Sequence, residues 1–229
     1  EEGAKYLNSP DTVVFKKSRL IYALNFAKTT KRPNLVLVEG NIDVITLHQA
    51  GFDNVVATMG TALTDEHARM LARYTHELVL CYDNDAAGKK STDRVLQILK
   101  HADLSVRVLQ LPNAVDSQGN LIKQDPDDFV KRFGPAAFEK CLNDSVAPGE
   151  YRLETLRGAH NLSDEEGKRA YLRAAVESAA AITSPIEREL FCNKAGRQLE
   201  FLLLPWDRKW PSTAGGSPGR SARSRSAGN

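Results

Sequence analysis

The chain has 229 residues, with 31 Lys or Arg against 29 Asp or Glu and a net charge of +2. That balance excludes a strongly basic nucleic-acid coat and an acidic solvating chain. An apolar fraction of about 48% with glycine included excludes disorder throughout, and no apolar run approaches the ~18 residues of a membrane span.

The chain opens Glu1-Glu2-Gly3, without Met or a signal-like stretch, and reads as a piece of something longer. From residue 33 to 112 apolar strands alternate with helices. Residues 34–38 (NLVLV) predict a first strand, and residues 41–50 a helix with Gly51 at its C-terminal cap. Residues 54–58 predict the second strand. Thr64 caps a helix running to about Tyr74, with Asp65 and Glu66 in the first turn, where the helix dipole favours anions. Residues 77–82 (ELVLCY) form the third strand, 86–100 the third helix and 105–111 the fourth strand. This alternation predicts an α/β fold, a parallel sheet with helices on both faces.

Beyond Leu111 the pattern changes. Residues 112–124 read as a polar loop, Asp125-Pro126-Asp127 starts a helix, and Gly134-Pro135 separates it from the next. Ser163-Asp164-Glu165-Glu166 and Ser184-Pro185-Ile186-Glu187 have capping-box spacing and open long helices, giving a small helical module over 145–204. From Trp206 to Asn229 five basic residues stand against Asp207 amid Gly, Ser and Pro, so 205–229 reads as a disordered basic tail. Cys81, Cys141 and Cys192 lie far apart with no C-x-x-C spacing, which predicts neither a zinc site nor a disulfide framework and suits a reducing setting. His48, His67, His76, His101 and His160 lack ligand spacing and read as surface or packing residues.

The chemistry lies in acids at the strand ends. Glu39 ends the first strand and Asp43 follows in the first turn of the helix. Asp83 and Asp85 end the third strand, on one side of an extended chain. Asp125 and Asp127 flank a proline after the fourth. In open parallel sheets the functional crevice lies outside the carboxyl ends of the strands, so the three pairs are expected on one edge. Taken alone, Glu39/Asp43 or Asp125/Asp127 is an ordinary set of helix-capping acids. Asp83-Asn84-Asp85-Ala86-Ala87-Gly88 is more specific, because its small residues let a helix N-terminus approach closely. Six carboxylates in one place repel, and a divalent cation relieves that repulsion. An all-oxygen set without His or Cys points to Mg²⁺, with Mn²⁺ able to substitute, and to phosphoryl or nucleotidyl transfer.

Val38-Glu39-Gly40-Asn41-Ile42-Asp43-Val44 followed by Tyr82-Asp83-Asn84-Asp85-Ala86-Ala87-Gly88 resembles the Toprim domain, with its E-G-x-x-D and D-x-D-x-A-G signatures. Further blocks narrow the resemblance: Lys5-Tyr6-Leu7-Asn8-Ser9-Pro10, residues 15–19, His48-Gln49-Ala50-Gly51-Phe52, residues 57–64 and Asp125-Pro126-Asp127-Asp128-Phe129. Together, over about residues 4–140, they are similar to the bacterial DnaG-type DNA primases. The resemblance implies the end of a basic subdomain at 1–32 and a Toprim domain at 33–144. It implies a template-directed RNA polymerase that makes short primers on single-stranded DNA from ribonucleoside triphosphates. Glu39 would be the catalytic carboxylate shared with the metals, Asp83 and Asp85 the principal ligands, and Asp43, Asp125 and Asp127 the outer part of the site. Lys5, Asn8, Lys17 and Arg19 would handle nucleotide and template, and zinc is not expected here. The implied setting is cytoplasmic, at a bacterial replication fork, with no membrane. The replicative helicase would bind through a C-terminal domain expected outside these residues. Asn41 stands where the family often has an aromatic residue, and Ser18 where it usually has Gly. Rival readings are a Toprim nuclease, a phage-type primase-helicase piece, and an idle module that only binds DNA or a partner. Asp85-Ala86-Ala87-Gly88-Lys89 departs from the acidic run of topoisomerases, and these residues hold no G-x-x-x-x-G-K-[ST] loop.

Overall fold

The structure is a computed structural model that describes residues 9–115, 121–122 and 124–199. The expected tail at 205–229, with Lys5 and Asn8, lies outside the described residues. After a single 3-10 turn at Lys17–Arg19 come β1 (Ile21–Tyr22), α1 (Leu24–Ala27), β2 (Leu35–Val38), α2 (Asn41–Gln49), β3 (Val55–Thr58), α3 (Asp65–Leu71), β4 (Glu77–Cys81), α4 (Ala86–Leu99) and β5 (Ser105–Val108). The strands form one sheet in the order β1-β3-β2-β4-β5, with β2 to β5 parallel and only β1 antiparallel, on β3. This is the expected α/β sheet with one added edge strand.

Side-chain alternation splits the core into two layers. Val36, Val38, Val55, Ala57, Val79 and Cys81 face α2 and the helix after β5, meeting Leu47, Phe52, Phe129 and Phe138. Leu35, Leu37, Val56, Leu78 and Leu80 face the other way, onto Ala68 and Leu71 of α3 and Val95 and Leu99 of α4. A sheet covered on both faces leaves no strand position to water, so β2 and β3 are buried along their whole length, apolar except for Thr58, whose hydroxyl is donated to Thr61 O.

Two short strands lie within the expected loop at 112–124. Ala114–Val115 (β6) and Leu121–Ile122 (β7) pair as an antiparallel ribbon. Two-residue strands are too short to give a periodicity, which also hides β1 from the sequence. Next come α5 (Pro126–Asn143), α6 (Pro148–Ala159), α7 (Glu165–Ala180) and α8 (Pro185–Gln198). Within α5 the helix breaks where expected: Gly134 has φ 80°, ψ 169°, followed by Pro135.

The described residues fall into two compact units that divide between Asn161 and Leu162, so α6 belongs with the sheet. In the second unit α7 and α8 pack through Tyr171, Ala175, Phe191 and Ala195, and Tyr171 donates its hydroxyl to Gln198 Oε1 at 2.7 Å. Asp164, not Ser163, caps α7 by accepting from Gly167 N, while Ser184 caps α8 as expected. Among the described residues no helix is long and apolar enough to cross a membrane.

Candidate metal and nucleotide site

The strand order makes a switch point between β2 and β4. These neighbours pair in parallel, but β2 leads through α2 to β3 on one side and β4 leads through α4 to β5 on the other. Their carboxyl ends therefore diverge into a crevice, and Glu39 and Asp83 lie just past them.

Asp43 is built into this crevice by backbone bonds from two helices. Its Oδ2 accepts from Gly40 N at 3.1 Å and its Oδ1 from Asp127 N at 3.2 Å. A Cβ on Gly40 would lie 2.6 Å from Asp43 Oδ2, so the carboxylate can fold back onto its own helix start only over a glycine. Asp43 is buried, and its pKa is pushed up from 3.8 to about 6. Burial is the main cause, followed by the charge of Asp125; the charge of Asp83 adds a smaller push, and the two backbone bonds oppose the rise. Acids from all three pairs thus act on one another. Glu39 acts on the neighbouring Tyr82 phenol, whose pKa is raised by burial first and then by that charge.

Asp85 caps α4, with Oδ1 accepting from Gly88 N at 2.8 Å. The close approach expected at Gly88 is present: a Cβ there would sit 2.1 Å from the Asp83 carbonyl oxygen. Asn84 between the acids donates to Leu111 O and to Asn113 Oδ1, tying this loop to the chain beyond β5. Asp125 caps α5 through Asp128 N at 2.8 Å. Asp127 accepts from Thr46 Oγ1 at 2.5 Å and pairs with Lys131 at 2.7 Å. Asp125, Asp127 and Asp128 each offer a carboxylate oxygen, and these lie within 4.8 Å of one another, an arrangement compatible with a metal ion. Asp128 was not among the expected ligands, since an acid in the first turn reads as a dipole contact; its place directly after Asp127 was the available signal. The side-chain oxygens of Asn41 and Gln124, beside Gly40 and Asp125 in sequence, are buried without hydrogen-bond partners among the described residues.

The basic residues are arranged differently. Arg19 makes a forked contact with Glu66 of α3, 3.1–3.3 Å, so its charge is partly balanced at the surface. Lys17 is half-buried, its N–H donated to Asp11 and its carbonyl accepting from the His67 ring. His67 is fully buried in packing, as one of the two expected alternatives. Thr64 is a plain helix cap, accepting from His67 N. An open, mainly apolar cleft of 530 Å³ lies between this segment and α2, lined by Phe15, Tyr22, Phe26, Ile45, His48 and Met59 among others. All three cysteines are free, and burial raises the pKa of Cys81.

A family model for Toprim-like domains matches residues 36–121, and one for the DnaB-helicase binding domain of primase matches residues 150–203. The second match falls inside the chain, whereas the helicase-binding part was expected outside it. A DNA primase of Clostridium acetobutylicum is 37% identical over 191 residues, 83% of this chain and 30% of that protein. Among solved structures, the RNA polymerase domain of Mycobacterium tuberculosis primase DnaG in complex with double-stranded DNA superposes with a TM-score of 0.72 and 28% identity, over 86% of this chain and 62% of that one. A DnaG primase catalytic domain bound to ssDNA gives 0.66 and 29%, over 88% and 62%. The chain spans about a third of the length of the curated relatives it matches.

Proposed function

We propose a function from one premise: this chain belongs to the bacterial DnaG-type DNA primase family. Its first unit is the nucleotidyl-transfer centre of a primase, which joins ribonucleotides into short primers on single-stranded DNA. The observation that carries the reading is the bracket at the switch point, where buried Asp43 accepts from Asp127 N at 3.2 Å and so draws the first and third acidic pairs together. Such a set of carboxylates suits a hard divalent cation, Mg²⁺ with Mn²⁺ as substitute, better than zinc, whose usual sites include Cys or His. Glu39, Asp83 and Asp85 would hold the ion, with Asp43, Asp125 and Asp127 completing the acidic wall. When bound, the ion supplies charge to the attacking 3′ oxygen and the leaving pyrophosphate.

The chain's own residues set the geometry. Gly88 lets α4 start against Asp83, Asp43 locks α2 to α5, and the caps made by Asp85 and Asp125 hold both carboxylates at fixed places. Lys17 and Arg19, with Lys5 and Asn8 upstream, would meet the triphosphate and template, Arg19 exchanging its Glu66 contact for phosphate. The match at 150–203 supports α6 to α8 as the part that meets the replicative helicase at a cytoplasmic replication fork.

A calorimetric Mn²⁺ titration of the chain beside the Asp83→Asn/Asp85→Asn double variant tests the centre. Asparagine caps a helix as well as aspartate does, so the double change removes charge while leaving α4 capped. Binding in the parent that vanishes in the variant is expected; equal binding in both would remove Asp83 and Asp85 from the ligand set.

A further inference from the structure

We propose that His67 is a positioning residue for the Lys17–Arg19 turn, holding in place the backbone that carries Lys17 and Arg19 toward a nucleoside triphosphate. The inference rests on the reading of those two residues given above. A turn of three residues cannot hold its own shape in water, since its nucleus costs more than its few hydrogen bonds return. Its support comes from the start of α3, residue against residue. The His67 ring lies 2.8 Å from the Lys17 carbonyl, Thr64 Oγ1 donates to the Ser18 carbonyl at 3.1 Å, and Glu66 takes the Arg19 guanidinium.

The ring's protonation follows from its neighbours. Thr64 N–H can only donate, and it points at His67 Nδ1 at 3.2 Å, so Nδ1 carries no proton. The Lys17 carbonyl can only accept, so Nε2 carries the proton and donates it. Both nitrogens are used, the ring is fully buried, and a single neutral tautomer satisfies the pair. His67 thus joins the α3 cap and the basic turn in one rigid piece. A residue that merely filled space would need neither bond.

The two amide side chains separate the two bonds. In His67→Asn the amide oxygen can stand in for Nδ1 but falls short of Lys17; in His67→Gln the amide nitrogen reaches the place of Nε2. Limited trypsin digestion of the 229-residue chain reads the turn directly. Cleavage after Lys17 and Arg19 is expected to rise roughly three- to tenfold in His67→Asn, the loss of one buried hydrogen bond, and to stay near the parent rate in His67→Gln. Cleavage after Arg173, in the other unit, is the internal reference and should not change. Binding of a fluorescent ribonucleoside triphosphate should weaken in His67→Asn by a factor similar to Lys17→Ala and recover in His67→Gln. If Lys17→Ala weakens binding and His67→Asn does not, or if Gln behaves as Asn does, the positioning role is overturned. If the turn loosens while Lys17→Ala leaves binding unchanged, the assignment of Lys17 to phosphate fails instead, and with it the role of His67 toward that ligand. Nitrogen-15 NMR of the parent chain needs no variant: a proton on Nδ1 of His67 would overturn the proposal whatever the variants do.

Discussion

At the scale of single residues the site is held by unusually tight clearances. Gly88 is the clearest case, because a methyl group there would strike backbone, which cannot swing aside as a side chain can. Gly88→Ala is expected to lower stability by about 2 kcal/mol or more and to weaken Mn²⁺ binding, read by denaturant unfolding and calorimetry on the same protein. Asp43 carries the opposite kind of strain, a carboxylate kept among other carboxylates. Its folded-state pKa stands above the unfolded value of 3.8, so the native chain holds this proton more tightly than the unfolded chain. The stability from that proton is full at low pH and lost as pH rises through about 6. In metal-free buffer the contribution of Asp43 to the unfolding free energy should therefore fall by about 3 kcal/mol between about pH 4 and pH 7, read as the difference between the parent profile and that of Asp43→Asn. Ala23 has φ 62°, a left-handed conformation that costs an L-residue about 1–2 kcal/mol. Ala23→Gly relieves more than glycine's extra unfolded-state entropy takes back, so a slightly higher melting temperature is expected in a thermal scan.

Among elements, the long parallel strands and their covering helices were legible because burial on both faces demands an unbroken apolar run, as in LVLV of β2. The helix break in α5 was equally plain from Gly134-Pro135. Gly134 holds a backbone region open only to glycine, and Gly134→Ala should cost about 1–3 kcal/mol by chemical denaturation without moving the acidic cluster's ligands. What stayed hidden has a common physical cause. β1, β6 and β7 have two residues each, a single period of strand alternation that no pattern can be read from, and the partner of β1, β3, lies far along the chain. Distance also hid the bracket at Asp43. Its helix-cap bond to Gly40 is local and follows from the sequence spacing, but its bond to Asp127 N spans 84 positions. His67 was concealed for the same reason: three residues from Thr64 in sequence, it acts on Lys17, which only the fold brings near.

For the whole molecule, the metal-site proposal carries a stability consequence. An ion that binds only the folded chain stabilises it, so on that proposal Mg²⁺ at about a hundred times its dissociation constant should add roughly 3 kcal/mol. A rise in melting temperature with Mg²⁺ in the parent, absent in Asp83→Asn/Asp85→Asn, would show that linkage in a simple thermal scan. The edges of the sheet have a separate consequence. β1 runs antiparallel along β3, and at the far side Val146 makes a bridge to Val108 of β5. Each outer strand of the parallel core thus meets a neighbour from its own chain for at least part of its length. Bare strand edges are templates on which chains stack into fibrils. Here the outer strands of the sheet are β1, of two residues, and β5, whose end at Val108 is already taken by Val146, so the edge left for stacking is short on both sides of the sheet.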